Sequence, residues 1–184
     1  MSTEQTFKIV DGVYTGPENW RGELDLRGYK ETLVSLGSLE TVGWGVDLEG
    51  CSNLKTLGKL KEVEGSLFLR GCTSLTTLGK LKTVGGWLDL EGCSNLKTLG
   101  NLESVGWWLN LTGCSNLTSL GNLKTVNRGI DLLENKHVHL KEVQDKIKYY
   151  SSLQAHEALN AITSKEVQEV PLYRNILTEI LQKV

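Results

Sequence analysis

Four cysteines, Cys51, Cys72, Cys93 and Cys114, recur every 21 residues, each directly after a glycine. Thiols in one column of a stacked chain lie close enough to hold a soft metal or to oxidise in pairs, since a disulfide accepts Cα separations of about 4.4 to 6.8 Å. Parallel side chains make poor bridge geometry, however, and metal ligands must converge on a point, whereas a ladder runs along a line. A buried, reduced ladder with no metal and no cofactor is the favoured reading. The second set with chemical potential joins carboxylates to indoles. Asp25, Asp47, Phe68, Asp89, Asn110 and Asp131 occupy one equivalent position; Trp44, Trp87, Trp107 and Trp108 precede it, and Arg27, Glu49, Arg70 and Glu91 follow it. Large rigid aromatics anchor protein interfaces, and the same rings stack on sugars while Asp or Asn accepts hydroxyl hydrogen bonds.

Catalytic chemistry has little support. The chain has no Gly-rich phosphate loop followed by Lys, no GxSxG elbow, and no nucleophile with a suitably spaced base. Carboxylates on an open surface are not desolvated, so their pKa is not raised as general acid–base work requires. His137, His139 and His156 form no motif with metal-ligand spacing.

These residues need a scaffold that repeats with their own period. Apolar columns recur in the same register: Leu36, Leu57, Leu78, Leu99 and Leu120; Leu39, Leu60, Leu81, Leu102 and Leu123; Val42, Val63, Val84, Val105 and Val126. The pairs Val46/Leu48, Leu67/Leu69, Leu88/Leu90, Leu109/Leu111 and Ile130/Leu132 alternate with polar residues, the pattern of one short half-buried strand per repeat. A unit of 21 residues cannot bury its own apolar side chains, so stacking successive turns is the arrangement that gives each column an interior. The expected fold is a right-handed solenoid of about six parallel β coils over 24–138, roughly 25 to 30 Å long at ~4.8 Å per rung. Leu24-Asp25-Leu26 reads as an earlier rung, made irregular by one extra residue between Gly28 and Leu33.

The run Val46-Asp-Leu48-Glu-Gly-Cys51-Ser-Asn-Leu54 resembles the L-x-L-x-x-C-x-x-L core of cysteine-containing leucine-rich repeats, and it recurs at 67–75, 88–96 and 109–117. The resemblance implies that each cysteine lies under the strand and bonds the backbone of a turn. Two features depart from that family: Val42 stands four residues before Val46 instead of three, and the period is near the family's short end. Similar short repeats are common in bacterial and bacteriophage proteins.

Residues 1–23, with Phe7-Lys-Ile9-Val10 and Val13-Tyr14, are expected to close the N-terminal end as an edge strand or hairpin. After Leu132 the apolar spacing changes to three and four residues, and 139–184 reads as a helical C-terminal cap with a capping box at Thr163 and Glu166 and a break at Pro171. The alternative for these helices is a homodimer contact.

The 184 residues carry 20 bases and 22 acids, a net of −2, which indicates neither a polycationic nucleic-acid binder nor an acidic tail. Locally, the face built on the Asp column and its flanks holds seven acids against two bases, a net of −5. The opposite turns carry Lys55, Lys59, Lys61, Lys80, Lys82, Lys97 and Lys124 against Glu40, Glu62 and Glu103. This stripe lacks Arg and interleaved aromatics, which argues against nucleic acid and for a solvated face that blocks aggregation. No stretch approaches the ~18 apolar residues of a membrane span and the N-terminus lacks signal-peptide features, so a cytoplasmic location is expected. The combined expectation is a non-enzymatic scaffold whose acidic, Trp-bearing face takes a protein with a basic surface, in phage or bacterial terms a host or defence protein. A carbohydrate-binding module and an oligomerising protein are the alternatives.

Overall fold

A computed structural model describes residues 5–132 of the chain. They form a parallel β-solenoid in which each coil lies over the equivalent residues of the one before. The front sheet has six strands, Leu24–Asp25, Val46–Asp47, Leu67–Phe68, Leu88–Asp89, Trp108–Asn110 and Gly129–Asp131, in sequence order. Its register pairs Val46 with Leu67, Leu88 with Leu67 and Leu88 with Leu109. The helical cap expected over 139–184, its homodimer contact, and the solenoid's expected last residues 133–138 lie outside the described residues.

Each coil contributes more than the single strand expected from the alternating pairs. A second six-stranded parallel sheet runs through Asn19–Trp20, Thr41–Val42, Glu62–Val63, Thr83–Val84, Ser104–Val105 and Thr125–Val126. Isolated bridges link Ser35 to Thr56, and Thr98 to both Thr77 and Ser119, along a third line. A side strand carries one buried residue, such as Val63, and is too short to show alternation. Its pairing follows from the stacking: once coils lie one strand spacing apart, any extended segment faces its equivalent and satisfies its backbone groups there. The extra residue between the Val column and the front strand lets the chain turn the corner from one sheet to the other, at Gly43-Trp44-Gly45 in the second coil.

The interior is a set of continuous columns. Leu57, Leu60, Val63, Leu67, Leu69, Cys72 and Leu75 of one coil are all buried, as are their equivalents in the two coils that follow. Each such Leu contributes roughly 2 kcal/mol of transfer free energy, realised only with a neighbouring coil on either side. The cysteines complete this interior. Sγ of Cys72 donates to the carbonyl oxygen of Leu48 at 3.3 Å, Cys93 to Leu69 at 3.1 Å and Cys114 to Leu90 at 3.1 Å, so each thiol ties its coil to the preceding one. The glycine before each cysteine has a conformational cause; Gly71, for example, sits at φ +72.

At the N-terminal end, Lys8–Val10 and Val13–Thr15 pair antiparallel across Asp11-Gly12, both at positive φ. Tyr14 is buried against the core, stacked on Phe7 at 5.6 Å, and its hydroxyl donates to the Pro17 carbonyl at 3.1 Å. Phe7 also meets Trp20 and Tyr29 edge-on, covering the first coil with aromatic surface. The extra residue of that coil is absorbed by a 3-10 turn at Arg27–Tyr29.

Candidate protein-binding face

The front sheet sets the geometry of the candidate site. With Val46, Leu67, Leu88, Leu109 and Ile130 turned inward, the next residue of each strand faces out, which aligns Asp25, Asp47, Phe68, Asp89, Asn110 and Asp131 in one outward row. Two residues earlier on the same face stand Trp87 and Trp108, in neighbouring coils, with ring centroids 6.5 Å apart. Trp108 is half-buried, since its ring lies over Gly129, where a Cβ would come within 2.5 Å of it. Trp87 is 45% exposed and Phe68 36%. Trp44 and Trp107, on the corner between the sheets, are 68% and 53% exposed. The three most exposed aromatics among the described residues, Trp44, Trp107 and Trp87, are thus all sequence candidates, on this face or at its border.

The outward carboxylates have a structural task that their row alone did not reveal. Asp47 Oδ1 accepts the backbone N–H of Glu49 at 3.0 Å, Asp89 that of Glu91 at 3.0 Å, and Asn110 that of Thr112 at 3.0 Å. Asp25 does the same for Arg27. These are Asx turns that end four of the six front strands, and they explain why Asp and Asn interchange there without disturbing the fold. The recurring signal was an Asx three residues before a glycine, at Asp25, Asp47, Asp89 and Asn110.

The count of seven acids to two bases overstates the field of the face. Arg27 bonds both oxygens of Asp25, Nε to Oδ1 at 3.0 Å and Nη2 to Oδ2 at 2.8 Å, and its Nε lies 3.2 Å from Asp47. The hydrogen bonds from Arg27 hold the Asp25 carboxyl below its usual range, and the Asp25 bond holds the guanidinium proton more firmly. Arg70 reaches Glu91 at 2.8 Å and Glu49 at 4.0 Å. Two guanidiniums thereby bridge four acids across coils.

On the opposite turns, Lys61 pairs with Glu40 at 2.8 Å and Lys124 with Glu103 at 2.5 Å, again between equivalent positions of adjacent coils. The lysine bonds hold both carboxyls below their ordinary value. Lys55, Lys59, Lys80, Lys82 and Lys97 are exposed.

Among the described residues no group of three His, Cys, Asp or Glu side chains is placed to hold a metal, and no helix is long and apolar enough to cross a membrane. All four thiols are free and buried. Burial pushes the Cys51 thiol up to about 11 and those of Cys72 and Cys114 up to about 12; Cys93 is raised too, for the same reason. Comparison of the chain with models of protein families, with characterised proteins and with solved structures finds no match.

Proposed function

We propose that this protein is a non-enzymatic recognition scaffold that binds a protein partner with a basic surface through the front sheet and its tryptophan border. The observation that carries this reading is the exposure of Trp44, Trp87, Trp107 and Phe68 around a row of carboxylates held in fixed register. Exposed aromatic surface is costly to leave in water and is the usual material of interface anchors. A rigid sheet loses little conformational entropy on docking, and surrounding carboxylates speed encounter with a basic partner while making it salt-sensitive. The resemblance of the repeats to leucine-rich repeats of the bacterial and bacteriophage type supports the same reading, and extends it to a phage or bacterial inhibitor or adaptor acting on a host or defence protein in the cytoplasm.

A protein partner is favoured over a glycan because Asp47, Asp89 and Asn110 each already spend one oxygen on a backbone N–H. The test is affinity capture followed by mass spectrometry, comparing the wild type with a triple variant, Asp47→Asn, Asp89→Asn and Asp131→Asn, which keeps the turn acceptors and removes charge. The expected result is a partner captured at low salt and lost in the variant. Unaltered capture rejects the reading, and quenching of Trp emission across a sugar panel without protein capture points to the glycan module instead.

A further inference from the structure

The position two residues after the outward row runs Arg27, Glu49, Arg70, Glu91, Thr112 through successive coils. Bases alternate with acids, and each Arg draws carboxylates from adjacent coils: Arg27 takes Asp25 and Asp47, and Arg70 takes Glu49 and Glu91. The alternation stops at Thr112, where a third guanidinium would stand. In the coil just before it lies Asp89, which has no basic partner among the described residues; one of its oxygens accepts the Glu91 N–H, and the other has no hydrogen bond there. Asp89 sits in register between Phe68 and Asn110, with the half-exposed Trp87 two residues earlier on the same face.

We infer that Asp89, with Trp87 two residues before it and the uncharged Thr112 in the next coil, is the point at which an arginine side chain of the partner docks. The inference rests on the protein-binding reading above and names the group that the face selects. A guanidinium suits it better than an ammonium for two reasons. Its planar fork presents several donors to a carboxylate at once, as Arg27 does to Asp25, and its flat, weakly hydrated face stacks on indole. Trp108 packs beside Trp87 and limits its freedom, so little side-chain entropy remains to be lost on docking. The incoming Arg restores the pattern that the chain itself follows at Arg27 and Arg70.

The experiment titrates the intact protein with blocked hexa-arginine and hexa-lysine peptides, read by Trp emission and by calorimetry. Binding of the arginine peptide about tenfold tighter than the lysine peptide is expected, in line with a stacked cation. Asp89→Asn and Trp87→Ala should each erase most of that preference. Asn110 already makes the same turn bond in the same row, so Asp89→Asn keeps the fold, and a thermal melt checks it. Thr112→Arg fills the gap from within the chain and should abolish the arginine preference while leaving the weaker lysine binding. Equal affinity for both peptides, or a preference indifferent to Asp89→Asn and Thr112→Arg, overturns the inference but leaves the acidic-face reading standing. Failure of both peptides to bind overturns both readings.

Discussion

Adding one methyl group at Gly106 measures how tightly neighbouring coils are pressed together at the corner between the sheets. A Cβ there would overlap the Gly85 carbonyl oxygen and lie 2.7 Å from its carbon. The backbone cannot yield cheaply, because the Gly106 N–H donates to Val84 at 2.8 Å and the Trp107 N–H to Gly86 at 3.1 Å. Opening the coils enough to admit the methyl sacrifices these two bonds, at roughly 1 kcal/mol each. Distortion of packed surroundings adds about 1 to 3 kcal/mol. Gly106→Ala should therefore cost roughly 3 to 5 kcal/mol, a large part of the about 5 to 15 kcal/mol that holds a typical domain together. Gly79→Ala is the control: a Cβ there meets nothing within 4 Å, and the only penalty is the left-handed backbone at φ +62, about 1 to 2 kcal/mol. Urea unfolding of both variants, with slopes unchanged, gives the comparison directly. Equal midpoints would refute the claim that backbone contact between coils fixes the corner glycines.

Two further outcomes follow from the geometry. The thiols keep their protons in the folded state well above the ordinary value of 9.0, while the unfolded chain loses them near it, so the unfolded state binds fewer protons and stability falls as pH rises from about 9 towards 12. The slope is up to about 1.4 kcal/mol per thiol for each pH unit, seen as a falling urea midpoint between pH 8 and pH 10.5, and burial of Tyr14 acts in the same direction. Asp89→Asn should leave the thermal midpoint nearly unchanged, whereas Asp89→Ala removes the Glu91 turn bond and should cost about 1 kcal/mol; equal melts for both would sink the turn role of this row.

The regular spacing of Cys51, Cys72, Cys93 and Cys114 made the stacking, the inward columns and the outward row legible, because a strict period leaves only one alignment of coils. What it concealed has physical causes. Five of the second sheet's six strands have a single buried Val and the first, Asn19–Trp20, has none, and no alternation can be read from two residues. The Asx turns were hidden because a carboxylate reads first as a charge, though the place of Asp25, Asp47, Asp89 and Asn110 three residues before a glycine was visible. The pairing of Arg27 and Arg70 across coils was also within reach of the period, since Arg70 stands 21 residues from both Glu49 and Glu91, yet a summed charge treats these residues as independent. Tryptophan exposure was not readable at all. Trp87 and Trp108 are one coil apart at the same position, and they differ in burial only because Gly129 leaves room for one ring to lie flat.

The stacking of residues 21 apart is tested most directly by alkylating the cysteines with iodoacetamide at pH 8 and locating the label by mass spectrometry. Burial, with the neighbouring Asp47 and Asp25 at Cys51 and the neighbouring Cys51 at Cys72, lowers the thiolate fraction about a hundredfold at Cys51, whose thiol is pushed from 9.0 to about 11, and about a thousandfold at Cys72, pushed to about 12. The folded protein should leave all four unlabelled over a time in which the guanidinium-unfolded chain is fully modified, with Cys51 the first to react on partial opening. Stoichiometric labelling of any of the four in the folded protein, at the rate of a free thiol, would contradict the ladder and with it the aligned outward row.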